Sequence, residues 1–176
     1  MTETVSPGAY AVYPEPTTLR LERRLPGPIE RVWSYLTDSE LRGQWLATGP
    51  MELVVGGRVE LTWRNDDLNL GKSDRPPEFD AVHTQESRVT QLDPPRRLAF
   101  GWQGDSEVTF ELEPQGDEVL LKITHRRLPA RSALLGVSSG WHAHLDVLDA
   151  RLRGQAPPPF WINFLALRAE YDSRLP

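Results

Sequence analysis

The segment from Ala130 to Arg153 limits what this chain can fold into more than any other stretch. Leu134, Ser138, Trp141, Leu145, Leu148 and Leu152 follow one another in alternating steps of four and three. At ~100° per residue they fall on a stripe less than about a quarter of a helix circumference wide. The other side carries Ser139, Ala143 and Ala150, flanked by Asp146, Arg151 and Arg153, and Gly154 stands where a glycine ends a helix. Ordering such a helix costs about 1–2 kcal/mol per residue, whereas burying one large apolar side chain returns only ~1.5–3 kcal/mol. The helix must therefore lie on a broad apolar surface, and a run of strands precedes it.

Met1 to Pro16 reads as an extended, proline-punctuated arm with Tyr10, Val12 and Tyr13. Leu19, Leu21 and Leu25 alternate with Thr18, Arg20, Glu22 and Arg24 in a first strand, whose inward set also includes Arg23. Pro26-Gly27-Pro28 stops the strand, and Ile29, Val32, Trp33 and Leu36 form one face of a short helix. Thr37 and Glu40 have capping-box spacing for a second short helix ending near Trp45. A short strand is expected at Met51 to Val54 between glycine turns, and another where Val59, Leu61 and Trp63 alternate with polar residues. Asn65 to Glu78 is a polar segment expected as a solvated loop or mobile lid; its carboxylates do not have calcium-loop spacing, since Leu70 and Pro76 occupy the positions of the required glycine and glutamate. Strands resume at about Phe79 to Leu92, then at Leu98 to Trp102, Val108 to Leu112 and Val119 to Ile123, joined by short turns into an antiparallel meander. After the long helix, Pro157-Pro158-Pro159 breaks the chain before a last helical stretch with Phe160, Phe164, Leu167 and Tyr171 on one side.

The order is strand, two short helices, six strands, long helix. A seven-stranded antiparallel sheet has one apolar face to cover, and only the long helix is large enough to cover it. The expected class is α+β, a curved sheet gripping the helix with a space between them. Residues 1–16 are read as the arm, 17–154 as this domain and 155–176 as a helical extension.

A net charge of −5 argues against a nucleic-acid or anionic-membrane binder. The chain has no cysteine, which excludes disulfides, zinc–thiolate sites and cysteine nucleophiles. No apolar run approaches the ~20 residues of a membrane span, and the first residues have no basic and apolar signal-peptide regions. A cytoplasmic protein is the expectation. Phosphate-loop, dinucleotide, serine-hydrolase and zinc-protease motifs are all missing, so no cofactor, metal or catalytic residue is assigned and the balance leans away from an enzyme.

Candidate cavity residues follow from the alternation. Trp63, Phe100, Trp102, Phe110 and Trp141 occupy inward positions of strands and of the long helix, where they form a core or, if the sheet curves enough, the walls of a pocket. Arg23 and His125 are the polar groups on that inward face. Arg23 is suited to hold a carboxylate or phosphate, or to pair with an internal carboxylate such as Glu107. His125 is suited to anchor a ligand or move a proton, or simply to bond the neighbouring strand. His142 and His144 sit ~160° apart on a helix, too far round to bind one metal, and are read as boundary histidines with polar partners. Gly136 and Gly140 cost the helix about 1 kcal/mol each relative to alanine, and close approach of another element is the expected reason. The apolar girth of the last helix is larger than a soluble monomer leaves exposed, so a homodimer using it or the arm is expected.

The sequence resembles the START-like (SRPBCC) superfamily of the helix-grip, birch-pollen-allergen type, and within it the branch named after the activator of the ninety-kilodalton heat-shock-protein ATPase. The resemblance rests on RRLPGPIERVWSYLTDSELRGQWL (Arg23 to Leu46), Gly56-Gly57, LDPPRRLAFGW (Leu92 to Trp102), SEVTFELEPQGDEVLLKITHRRL (Ser106 to Leu128) and SSGWHAHLDVLDARL (Ser138 to Leu152). It covers about Thr17 to Leu152. It implies a domain that binds a hydrophobic small molecule or regulates another protein, a co-chaperone with a chaperone partner, or a cofactor-free cyclase or hydrolase using the cavity. Fold analogy does not choose among these.

Overall fold

The computed structural model describes residues 9–71 and 74–175. Its chain order is β1 (Val12–Glu15), β2 (Thr18–Pro26), α1 (Ile29–Thr37), α2 (Ser39–Gly43), β3 (Arg58–Trp63), β4 (His83–Asp93), β5 (Arg97–Gly101), β6 (Glu107–Gln115), β7 (Glu118–Arg126), α3 (Arg131–Leu152) and α4 (Phe160–Arg174). The strands form one seven-stranded antiparallel sheet in the order β1-β2-β7-β6-β5-β4-β3. Together with the long helix this is a helix-grip fold.

Register turns the alternation into a core. Leu19 pairs with His125 and His125 with Val108, while Leu21 pairs with Ile123, Ile123 with Phe110 and Phe110 with Leu98. Each row thus runs across the sheet on the face that α3 covers, and every one of these side chains is buried. α1 adds Val32 and Leu36, one helical turn apart. Arg42 of α2 is 1% exposed, yet its guanidinium donates to the carbonyl oxygens of Ala47, Leu36, Thr37 and Gly49, so each nitrogen of the buried charge is bonded. Burial still draws its pKa down to about 10.

Several expectations change. The sheet has seven strands, but Met51 to Val54 is not one of them; it meets β3 through an isolated bridge from Met51 to Val59 and a bond from the Arg58 N–H to Glu52 Oε1, and Thr48 before it bridges to Thr62. The seventh strand is β1, contributed by the arm, whose first eight residues lie outside the described ones. The second short helix is capped by Asp38, whose Oδ1 accepts from the Leu41 N–H at 3.0 Å, while the Thr37 hydroxyl donates back to the Trp33 carbonyl. The Asn65 to Glu78 segment is not a solvated loop at its start: Asn65–Leu68 is a 3-10 turn, and Leu68 and Asn69 are buried.

The largest difference concerns α3, which is buried on both sides. Besides the predicted stripe, Ser139, His142, Ala143, His144, Val147 and Ala150 are buried. α4 folds back along the helix, joined by Tyr171 to His142, Asn163 to Asp146 and Arg131 to Asp172. Phe160, Trp161, Phe164, Leu167 and Tyr171 are buried within the chain, so the apolar surface that motivated a homodimer is covered, apart from Ile162 at 48% exposure.

Candidate functional site

Where the edge of the sheet at β3 and β4 meets α3 and α4, the structure holds a cleft of about 400 Å3. One wall is a run of touching indoles, with ring centroids 5.5 Å apart for Trp63 and Trp102 and 5.6 Å for Trp102 and Trp141. β3 ends its inward alternation on Trp63, and Trp102 follows β5 directly. The facing wall is Phe79, Phe160, Trp161 and Phe164, with Phe79 5.3 Å from Trp161 and 5.5 Å from Phe164. Trp161 is fixed at both ends: its N–H donates to Asn69 Oδ1 and its Nε1–H to Asp66 Oδ1, each at 2.8 Å. The polar segment after β3 therefore serves as a latch for α4.

α3 forms the third side through Gly136, Val137 and Gly140. A Cβ added at either glycine would meet nothing within 4 Å, so close approach of another element does not explain them. Their missing side chains widen the cleft instead. The rim is polar, with Asn65, Glu78, Asp80, His83, Gln85 and Gln103. Among the described residues, Asn65 Oδ1 and Gln85 Nε2 are enclosed without a hydrogen-bond partner.

The predicted residues separate into three groups. Trp63, Trp102 and Trp141 line the cleft. Phe100 and Phe110 stand behind them in the core, at 1% and 2% exposure, with Phe110 5.5 Å from Trp141. His125 is fully buried in a hydrogen-bond chain: Trp141 Nε1–H donates to its Nδ1 at 3.1 Å, its Nε2–H donates to Ser106 Oγ at 2.8 Å, and that hydroxyl donates to the Arg126 carbonyl. Burial pushes its pKa down to about 3, which leaves a neutral imidazole with both nitrogens used.

Arg23 lies away from the cleft. Its Nη1 donates to the carbonyls of Ala9 and Glu22, both at 2.7 Å, and Glu107 bonds Thr90 instead. Its Nε and Nη2 have no partner among the described residues, and burial lowers its pKa against the pull of Asp146.

His144, read from the sequence as a boundary residue, lines the cleft and is 5% exposed. Its Nδ1 is 2.8 Å from the Trp45 carbonyl, which only accepts, so Nδ1 carries the proton. Burial holds the ring neutral, with a pKa of about 4. Nε2 is then a bare acceptor, with no partner among the described residues. His142, its neighbour in the sequence, is directed instead to the Tyr171 hydroxyl and to Asp146. The sequence pattern placed neither the second aromatic wall nor His144 at a site, although two glycines four residues apart on one helix face were a visible sign of an opening there.

Among the described residues no group of three or more His, Asp or Glu could hold a metal ion, and no helix is long and apolar enough to cross a membrane. The arrangement is a slot between two aromatic walls with the buried His144 of its lining held neutral.

The model of the family described as Activator of Hsp90 ATPase homolog 1-like protein matches residues 26–153. The chain belongs to this family. Activator-homologue-like proteins share the START-like fold described above, and solved structures agree. A Bordetella parapertussis protein solved by NMR is 39% identical, over 99% of this chain and 96% of that one, at a TM-score of 0.82. CalU16 from Micromonospora echinospora is 25% identical, over 90% and 87%, at a TM-score of 0.65. A Rhodobacter sphaeroides protein at 24% identity, over 82% and 97% and with a TM-score of 0.63, shares the fold. No curated protein matches. The family match ends at Arg153, so α4 and its aromatic wall lie beyond it, whereas the Bordetella likeness runs on through them. Membership makes the chain a ligand-binding or regulatory domain in general terms.

Proposed function

We propose that the chain binds a small, largely apolar molecule in the cleft between the Trp63–Trp102–Trp141 wall and α4, and performs no chemistry on it. The observation that carries this reading is the pair Gly136 and Gly140, which face open space on the one helix side that borders an aromatic-lined volume of about 400 Å3. That volume lies within the ordinary range for ligand pockets of roughly 300–1,000 Å3. The buried histidines favour binding over catalysis, because pKa values of about 3 and about 4 make His125 and His144 weak bases at neutral pH.

Titration with naphthalene, followed by tryptophan fluorescence, tests the proposal. Saturable quenching is expected for the native chain and a loss of about tenfold or more in affinity for Gly140→Leu, whose side chain would occupy the slot. Equal binding by the two proteins, at unchanged helical content, would place the ligand elsewhere.

A further inference from the structure

Besides Asn65 and Gln85 at the rim, three polar features lie outside the apolar account of the cleft: the atoms of buried Arg23 that have no partner among the described residues, the charged hollow on the sheet between Asp93 and Lys122, and the open nitrogen of His144. Arg23 lines neither the cleft nor the charged hollow, and the hollow pairs its own charges, as Arg97 does with Glu111. His144 stands in the cleft itself.

We propose that the cleft selects a flat, uncharged aromatic molecule bearing a hydrogen-bond donor, and that His144 Nε2 is the acceptor that orients it. This deepens the proposed function and rests on the cleft being the ligand site. The Trp45 carbonyl takes the Nδ1 proton, so the imidazole has only a lone pair left to offer, on a residue of the cleft lining. The ring is held in place by Phe160, 4.5 Å away between centroids. A hydroxyl or amine on the ligand satisfies that lone pair, whereas an ether or a bare hydrocarbon leaves it desolvated and unpaired. Selection against anions comes from the lining, which among the described residues includes Glu78 and Asp80 and neither lysine nor arginine. Arg168 lies over the Phe79 and Phe164 rings, but it is bonded to Glu78. A carboxylate entering between the aromatic walls would be stripped of water with no cation among the described lining residues to meet it. Flatness follows from the two facing aromatic walls, which favour stacked or edge-on rings.

The test compares 2-naphthol, 2-methoxynaphthalene and 2-naphthoate, which share one ring system. On the native protein, naphthol is expected to bind about tenfold tighter than the ether, with naphthoate weakest. Long-range proton–nitrogen NMR of the native chain is expected to show His144 protonated at Nδ1, with its Nε2 resonance moving on addition of naphthol and not of the ether. His144→Phe is expected to bind naphthol and the ether equally. Should that variant fail to fold for want of a donor to Trp45, the native titrations and the Nε2 resonance decide alone. Equal affinities with an unmoved Nε2 resonance would overturn the role of His144 while leaving the cleft as the binding site. Saturation by none of the three compounds would remove the cleft reading as well.

Discussion

At His125 three hydrogen bonds in series fix one tautomer. The Trp141 indole can only donate, so Nδ1 accepts, and Nε2 must then donate to Ser106. Trp141→Phe keeps the ring but leaves Nδ1 without a partner, which should cost about 1–3 kcal/mol in denaturant melts; Trp141→Ala should cost roughly 3–5 kcal/mol. The same burial predicts a pH response. His125 and His144 have folded-state pKa values of about 3 and about 4, below the ordinary 6.5. Between those values and 6.5 the unfolded chain takes up protons that the folded chain refuses. Stability is therefore full above about pH 6.5 and falls as pH drops below it, by about 2 kcal/mol per histidine at about pH 5. Asp146, whose carboxyl is raised by burial, opposes this loss as it protonates. Urea melts at pH 7 and pH 5 check the direction; greater stability at pH 5 would contradict the neutral assignment. The inward placement of His125 was legible from the Val119, Leu121, Ile123 alternation. Its partners were not, because Ser106 and Trp141 reach it only through sheet register and helix docking.

The glycines of α3 show what is legible at the scale of an element. The helix bounds could be read from the four-and-three spacing and from Gly154, which has a φ of +66° past the last turn. What lies behind the helix could not. A single apolar stripe implies one covered face, but small or polar residues such as Ser139, His142 and Ala143 mark no face as apolar while still allowing α4 to pack there. The same ambiguity hid the meaning of Gly136 and Gly140, since a glycine can mark close contact or open space. The structure gives the second, and this predicts the effect of filling it. Gly136→Ala and Gly140→Ala should each raise stability by up to about 1 kcal/mol, as expected for alanine in place of glycine within a helix. Tm should rise by a few degrees, roughly 2–4 °C per kcal/mol for a chain of this size. Both variants should also narrow the cleft. A fall in Tm would mean that another group already occupies the space.

For the whole molecule the question is what α4 does. Sequence alone showed that its apolar girth needed cover, and a second copy of the chain was the expected source of it. The structure supplies it from within: Phe160, Trp161, Phe164, Leu167 and Tyr171 are buried, and the helix is tied to the latch segment through Asp66 and Asn69 and to the arm through the Ala11 N–H on the Tyr171 hydroxyl. At ~1.5–3 kcal/mol for each large side chain, these residues represent about 8–15 kcal/mol of gross burial. A whole domain is typically stable by only about 5–15 kcal/mol. A chain ending at Gln155 should therefore not survive as a folded core lacking an ornament. It loses one wall of the cleft, uncovers the α4 side of α3, and leaves Asp66, Asp146 and His142 without the partners that α4 provides. Its thermal unfolding should be broad rather than cooperative, and sedimentation should show it associating through the uncovered surface. If α4 served instead as the contact between two copies, the same truncation would yield a stable, cooperatively melting monomer from a dimeric full-length chain. Cooperative melting of the shortened chain would thus overturn the assignment of α4 as part of the core.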